Sequence, residues 1–228
     1  MHRCSVYNQI RIKVSIYLNM ILQTPTEPEI TKIIPPNLNV WTSIELSHQA
    51  AKYAIDHDIP GVFVETGIAA GHQLGAMCMA GRTGYGFDSF EGIPWAGPND
   101  SVQPGIGAID ESKHGLLETS GVASYTEEQA RGNLMSWGLK NFSLIKGWFQ
   151  DTVPTWEERP IAVLRLDGDL YESTKICLEY LYPMLSKGGI LIIDDWDLSG
   201  CVQAFDEYFE KHEKPEFILK DWGTYWRK

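Results

Sequence analysis

The chain has 228 residues, of which 43% are hydrophobic and 21% charged, an ordinary globular balance that suits one α/β domain with a sizeable core. Its net charge of −11 argues against a nucleic-acid partner, because phosphate binding requires a basic surface. A small neutral, cationic or metal-bound molecule fits this charge better as a partner. No apolar run approaches the roughly 18 residues of a membrane span.

The predicted elements begin after a proline-rich segment. Residues 24–39 contain four prolines and read as extended, so we expect residues 1–39 to form an N-terminal lead-in and residues 40–228 to form a single domain. Residues 40–58 have helical periodicity, and residues 61–65 and 84–88 are short strands. Apolar residues at helical spacing predict a further helix between these two strands.

The central stretch 91–124 lacks clear periodicity and is rich in glycine and proline. A stretch of this length inside a compact domain is typically functional, often a lid, and a disordered insertion is the alternative. His114 lies within it and is either a substrate contact or an exposed loop residue.

The second half of the chain continues the alternation of helices and strands. The pattern predicts helices over residues 125–137, 173–185 and 198–212, and strands over 141–146, 161–167, 190–194, 216–220 and 224–227. Ser124 is the expected N-cap of the first of these helices. Alternation favours a parallel sheet covered by helices on both faces, and the terminal strand pair allows one antiparallel strand to enter it.

The four cysteines form no CxxC pair and lie far apart. Cys78 and Cys177 fall in apolar helical stripes, which predicts buried free thiols. This usage is typical of a reducing compartment, so we expect a cytoplasmic protein.

Acidic residues follow two of the apolar strands. Asp167 and Asp169 follow residues 161–166, and Asp194 and Asp195 follow residues 190–193. The carboxyl ends of neighbouring parallel strands meet at one crevice, where several carboxylates repel one another and are costly to bury. A hard divalent cation bound by oxygen ligands would offset that cost. The alternative is that the acids cap or are solvated at the loop ends, which explains one acid better than several.

A second group of residues has the pattern of a nucleoside pocket. The turn Glu65-Thr66-Gly67 follows the first strand, and Asp88 ends the second about twenty residues on, where an acid can accept hydrogen bonds from ribose hydroxyls. The alternatives are that the turn is purely structural and that Asp88 is a solvated acid at the end of its strand. Trp148 and Phe149 follow the third strand and either stack on a flat base or pack in the core.

Taken together, the motifs FVETG, DSFEGIP, LIKGWFQDTVP, LRLDGDLYEST and LIIDDW resemble the macrocin O-methyltransferase family from residue 61 to the end of the chain. The resemblance implies a class I methyltransferase fold: a Rossmann-like, doubly wound, mostly parallel seven-stranded sheet with one antiparallel strand near the C-terminus. It also implies S-adenosylmethionine and Mg²⁺, or another divalent cation, as cofactors. The implied acceptor is a hydroxyl of a small molecule, a sugar of a natural product or glycan.

The resemblance also assigns residues. Asp167, Asp194 and Asp195 match the metal ligands, and Asp167 also matches the general base, whereas Asp169 and Asp197 are left outside this set. The cofactor pocket is matched by Glu65, Thr66, Gly67, Asp88, Ser89, Gly147, Trp148 and Asp167. The turn over residues 68–71 departs from the family, which usually has a tryptophan and an arginine there.

Other functions stay open at this point. A catechol-type O-methyltransferase would use the same layout of acids, and a metal-dependent nucleotide-sugar transferase would hold its metal with Asp167 and Asp169. A binding domain that kept the fold without catalysis is a third alternative. Family members often assemble, so a homo-oligomer is also among the expectations.

Overall fold

The computed structural model describes residues 41–100, 120–220 and 223–228. The predicted lead-in, Cys4 and most of the central stretch, including His114, lie outside these residues. In chain order the elements are α1 (Trp41–Asp56), β1 (Val62–Thr66), α2 (His72–Met79), β2 (Gly84–Asp88), α3 (Glu127–Ser136), β3 (Phe142–Lys146), α4 (Phe149–Thr152), β4 (Ile161–Leu166), α5 (Tyr171–Leu181), β5 (Leu185–Ile193), α6 (Ser199–Phe209), β6 (Glu216–Lys220) and β7 (Thr224–Arg227).

The strands form one seven-stranded sheet in the order β3-β2-β1-β4-β5-β7-β6. The pairs from β3 to β5 are parallel, and β7 runs antiparallel to both of its neighbours. The predicted α/β fold, with a mostly parallel sheet and an antiparallel strand near the C-terminus, is confirmed. The order reverses between β1 and β4, and the crevice outside the carboxyl ends of these strands is the place where such sheets bind ligands.

Helices cover both faces of the sheet. Along β5, Ile190 and Ile192 pack in a core cluster with α1, α2 and α3, whereas Leu191 and Ile193 pack with α5 and α6 on the other face. This alternation follows from the two-residue period of a strand. Because both faces are buried, the interior strands read in the sequence as continuous apolar runs.

The buried thiols predicted at Cys78 and Cys177 are confirmed, and Cys201 is a third. Each lies among core side chains, where burial raises the pKa of Cys177 to about 12. Such thiols stay protonated and unreactive, so the described cysteines serve packing.

Several helix ends differ from the sequence prediction, and two of them have a clear local cause. The N-cap of α3 is Thr126, not Ser124, because Thr126 and Gln129 form a capping box in which each side chain accepts a hydrogen bond from the other's backbone N–H, at 3.2 and 2.8 Å. Helix α5 ends at Leu181 rather than at residue 185, since Pro183 lacks the N–H that a continuing helix needs.

Among the described helices, none combines the length and the hydrophobicity that crossing a bilayer requires.

Strand β5 begins five residues earlier than its apolar run predicts. Leu185 pairs with Ile161, and the register then shifts so that Ile190 pairs with Val163. The intervening residues bulge out of the ladder through Gly188, whose φ of +82° is accessible mainly to glycine. Glycines of this kind resemble a turn in the sequence, which hid the first half of the strand.

Candidate active site

A cleft of about 620 Å³ opens at the carboxyl ends of β1, β2, β3 and β4. Five of the residues that the sequence assigned to a cofactor pocket or base line it: Gly67, Asp88, Ser89, Trp148 and Asp167. The other three are close by without lining it, since Glu65 and Thr66 are fully buried at the end of β1, and Gly147 precedes Trp148. The topology therefore brings the predicted residues to one place.

The glycine turn after β1 packs directly against the loop that follows β4. The φ of Gly67 is +80°, and a Cβ on this residue would lie 1.6 Å from the backbone oxygen of Asp167. The Gly67 N–H donates to the Phe87 carbonyl at 2.8 Å, and the Asp167 N–H donates to the Thr66 carbonyl at 2.9 Å. Only glycine fits this close approach, which sets the position of Asp167 relative to the turn.

Asp88 braces two of the loops that form the cleft. Its Oδ2 accepts a hydrogen bond from the Ala69 N–H at 2.8 Å, and its Oδ1 accepts one from the Phe90 N–H at 2.7 Å. Burial raises the pKa of Asp88, and these backbone hydrogen bonds act in the opposite direction. Because a carboxylate has about four lone-pair sites, Asp88 can still accept a hydrogen bond from a ligand.

The aromatic residues after β3 both line the cleft. The Gly147 N–H donates to the Asp88 carbonyl at 2.9 Å, which ties their loop to the end of β2. Phe149 also packs against the core cluster under α5, so it fulfils both roles that the sequence left open. Trp148 is the aromatic side chain free of that cluster.

Three carboxylates converge beside the cleft, as the strand ends predicted. Leu166 and Ile193 are paired in register, so the residues that follow them emerge side by side, and the Asp194 N–H donates to the Leu166 carbonyl at 2.9 Å. Oxygen atoms of Asp167, Asp194 and Asp195 lie within 4.8 Å of one another. Such a set of hard oxygen donors suits a divalent cation of the Mg²⁺ type.

Sequence reasoning missed Arg165, which lies at the centre of the site. Its side chain is 1% exposed, and the register pairs its Cα with that of Glu65 on β1. The guanidinium donates to Glu65 at 2.7 Å, to Asp167 at 2.6 Å and, through its other terminal nitrogen, to Asp194. A lone cation in the apolar run IAVLRL was the available signal, since a buried charge must be paired.

The acids outnumber the one guanidinium. Burial raises the pKa of Glu65 to about 8, although Arg165 acts in the opposite direction. Burial likewise raises the pKa of Asp194 to about 7, and it raises that of Asp195 well above its ordinary range, with Asp167 adding to the effect. With Asp167 these are four carboxyl groups grouped around one guanidinium, and a divalent cation would offset the repulsion between their ionised forms.

Asp169 takes part in the site without joining the group of three. Its φ of +60° turns the chain after Asp167, its N–H donates to Asp195 Oδ2 at 2.8 Å, and the residue lines the cleft. Burial raises the pKa of Asp169 to about 7. Asp197, in contrast, is 85% exposed and paired with Lys220. The sequence left both residues outside the metal-binding set, but in the structure Asp169 lines the cleft and Asp197 does not.

Comparison with known proteins gives concordant matches. The family model described as macrocin O-methyltransferase matches residues 43–228. The demethyldecarbamoylnovobiocin O-methyltransferase of Streptomyces niveus is 36% identical over 198 residues, which are 81% of this chain and 72% of that protein. The mycinamicin III 3''-O-methyltransferase of Micromonospora griseorubida is 31% identical over 184 residues, which are 77% of this chain and 71% of that protein. The solved structure of the O-methyltransferase NovP superposes with a TM-score of 0.69 at 30% identity and covers 96% of this chain and 98% of that one.

Proposed function

This chain belongs to the macrocin O-methyltransferase family and is an S-adenosylmethionine-dependent O-methyltransferase, and we propose that it methylates a hydroxyl of a small acceptor with the help of Mg²⁺. The acceptor that we propose is a sugar of a natural product or glycan. The observation that carries the proposal is the placement of the three converging carboxylates directly beside a cleft with a nucleoside-type lining.

The lining supports a role in cofactor binding. We assign the ribose hydroxyls to Asp88, whose carboxylate lines the cleft, and the adenine to the side of the cleft with Trp148. Glu65 Oε2 is fully buried and has no hydrogen-bond partner among the described residues. A cationic group of the cofactor would satisfy it, and the nearby carboxyl groups suit a sulfonium as well.

The chemistry requires a hydroxyl to lose its proton as it accepts the methyl group. A divalent cation held by Asp167, Asp194 and Asp195 would supply the positive charge that lowers the pKa of the acceptor hydroxyl. Asp167 lies at the junction of the cleft and the acid cluster, so we assign it the role of general base. The buried guanidinium binds one of its oxygens, and the lone pairs of the other oxygen remain for both the cation and the proton. Most of the rate acceleration would then come from positioning and a fixed electrostatic environment.

The acceptor is proposed by analogy with the relatives. Their names give demethyldecarbamoylnovobiocin and mycinamicin III as acceptors. An acceptor with two neighbouring hydroxyls would match a cation beside a base. A catechol has the same pair of hydroxyls, and methyl transfer to a panel of glycosides and catechols distinguishes the two acceptor classes.

Calorimetric titration separates methyl transfer from the nucleotide-sugar alternative. We expect S-adenosylhomocysteine to bind and uridine diphosphate to give no heat when each is titrated into protein already saturated with Mg²⁺. The Asp88→Asn variant should bind S-adenosylhomocysteine about 10- to 100-fold more weakly, because a hydrogen bond to a charged group is worth roughly 1.5–3 kcal/mol. Asp58→Asn, at an exposed turn, is the matched control and should bind like the wild type.

The reverse pattern has a clear meaning. Binding of uridine diphosphate without binding of S-adenosylhomocysteine would support a transferase that uses Asp167 and Asp169. Binding of S-adenosylhomocysteine without any affinity for a divalent cation would contradict the metal part of the proposal and favour a non-catalytic binding domain.

A further inference from the structure

The guanidinium of Arg165 joins the end of β1 to the acid cluster. We propose that Arg165 is a positioning residue for the divalent cation: it holds Asp167 and Asp194 at a fixed mutual angle, so that their remaining oxygens face one ion together with Asp195. This inference rests on the proposed function, since it assumes that these three acids bind a cation.

The geometry of the contacts carries the proposal. One terminal nitrogen of Arg165 donates to Asp167 Oδ2 at 2.6 Å and to Glu65 Oε1 at 2.7 Å, and the other donates to Asp194 Oδ1. Because a guanidinium is planar, two carboxylates bound to its two terminal nitrogens are fixed relative to each other. Each binds Arg165 through one oxygen, so its other oxygen can face an ion, and a side-chain hydrogen bond from Ser43 also reaches Asp194.

The position of Arg165 is itself rigid. The residue lies inside β4, a strand buried along its whole length between β1 and β5. Its Cα is paired in register with Glu65 on one side and Ile192 on the other, and Asp194 follows Ile192 by two residues on the same face. The sheet therefore fixes the guanidinium before any ion arrives.

The partners of Arg165 differ in how deeply they are buried. Glu65 pairs with Arg165 inside the sheet, where both side chains are 1% exposed. Asp167 and Asp194 are 27% and 28% exposed, so water could solvate them without the guanidinium. Contacts to two partly exposed acids at the edge of a cleft serve orientation more than the burial of charge.

The test is a substitution that keeps the positive charge of Arg165 and removes the planar guanidinium with its two terminal nitrogens. Arg165→Lys should bind Mn²⁺ and Mg²⁺ about 10- to 100-fold more weakly than the wild type, the usual cost of losing a group that orients a metal ligand. Calorimetry on the metal-free, full-length chain gives the dissociation constant, and turnover should recover at high Mg²⁺ concentration. A lysine ammonium is a point charge and cannot fix two carboxylates at once.

Arg82→Lys is the matched control for a general loss of stability. Arg82 also donates to three oxygens, the backbone carbonyls of Ile59, Gly61 and Ala54, but it lies away from the acids. Its replacement should lower the melting temperature and leave the metal dissociation constant unchanged. Equal metal affinity of Arg165→Lys and the wild type would overturn the inference.

Two further outcomes separate the inference from the function on which it rests. Absence of metal binding to the wild type, under conditions in which it binds S-adenosylhomocysteine, would contradict the proposed metal site itself. If Arg165→Lys does not fold, a crystal structure of the wild type with Mn²⁺ decides. We expect Arg165 to keep Asp167 Oδ2 and Asp194 Oδ1 while the ion takes the other oxygens, and an ion that displaces the guanidinium from both acids would overturn the inference.

Discussion

Asp167→Asn should lower turnover by about 10²- to 10⁴-fold, the usual contribution of a positioned general base, and further if cation binding is also lost. The amide has the shape of the carboxylate, but it cannot take up a proton and is a weaker ligand for a hard cation. Asp167 lies where the cleft meets the acid cluster, so it is the residue whose loss affects both functions. The measurement is kcat at saturating S-adenosylmethionine, with S-adenosylhomocysteine binding as a check on the fold.

The matched control is Asp197→Asn. Asp197 lies on the same loop as the acid cluster, but its side chain is 85% exposed and paired with Lys220, so kcat should stay at the wild-type value. Full activity of Asp167→Asn would refute its assignment as base and ligand. A loss confined to Asp169→Asn would move the base to that residue, which lines the same cleft.

Gly67→Ala should destabilise the protein by about 3 kcal/mol or more. Two costs add: a non-glycine residue at a φ of +80° is strained, and its Cβ would lie 1.6 Å from the backbone oxygen of Asp167. Because backbone atoms must move to relieve that contact, the turn and Asp167 would shift together. We expect a lower midpoint in urea denaturation and weaker S-adenosylhomocysteine binding by the folded fraction.

Gly138→Ala isolates the effect of the close contact. Gly138, just after α3, has nearly the same φ, +75°, but among the described residues no neighbouring atom lies within 4 Å of the position that its Cβ would take. Its replacement carries only the conformational cost, about 1 kcal/mol, and should not change cofactor binding. Equal destabilisation by the two substitutions would contradict the claim that the packing of the turn against Asp167 requires glycine at residue 67.

The general architecture was readable because strands and helices have different periods. The apolar runs of β4 and β5 could be recognised as strands buried on both faces, and the acids after them had to share one edge of a parallel sheet. Once the strand ends were located, the convergence of Asp167, Asp194 and Asp195 followed. Asp88 was found by the same reasoning at the end of β2.

The role of Arg165 was not readable from the pattern, because it depends on register. A lone cation in a hydrophobic run signals that it needs a partner, but the pairing of its Cα with that of Glu65 is needed to show that this partner is the group of acids. The position of Asp169 depends on a left-handed backbone conformation, which cannot be predicted from the sequence because a positive φ is uncommon in non-glycine residues. The β5 start was hidden by a bulge whose glycines resemble a turn.

The central claim is that the cleft and the adjoining acids perform metal-assisted methyl transfer to a hydroxyl. The most direct measurement is transfer of a labelled methyl group from S-adenosylmethionine to a panel of glycosides and catechols, with Mg²⁺, with a chelator, and with Mg²⁺ restored. We predict that a glycoside with two neighbouring hydroxyls is methylated, that the chelator stops the reaction and that Mg²⁺ restores it. Undiminished methylation by enzyme freed of divalent cations, or methylation of catechols alone, would contradict the account.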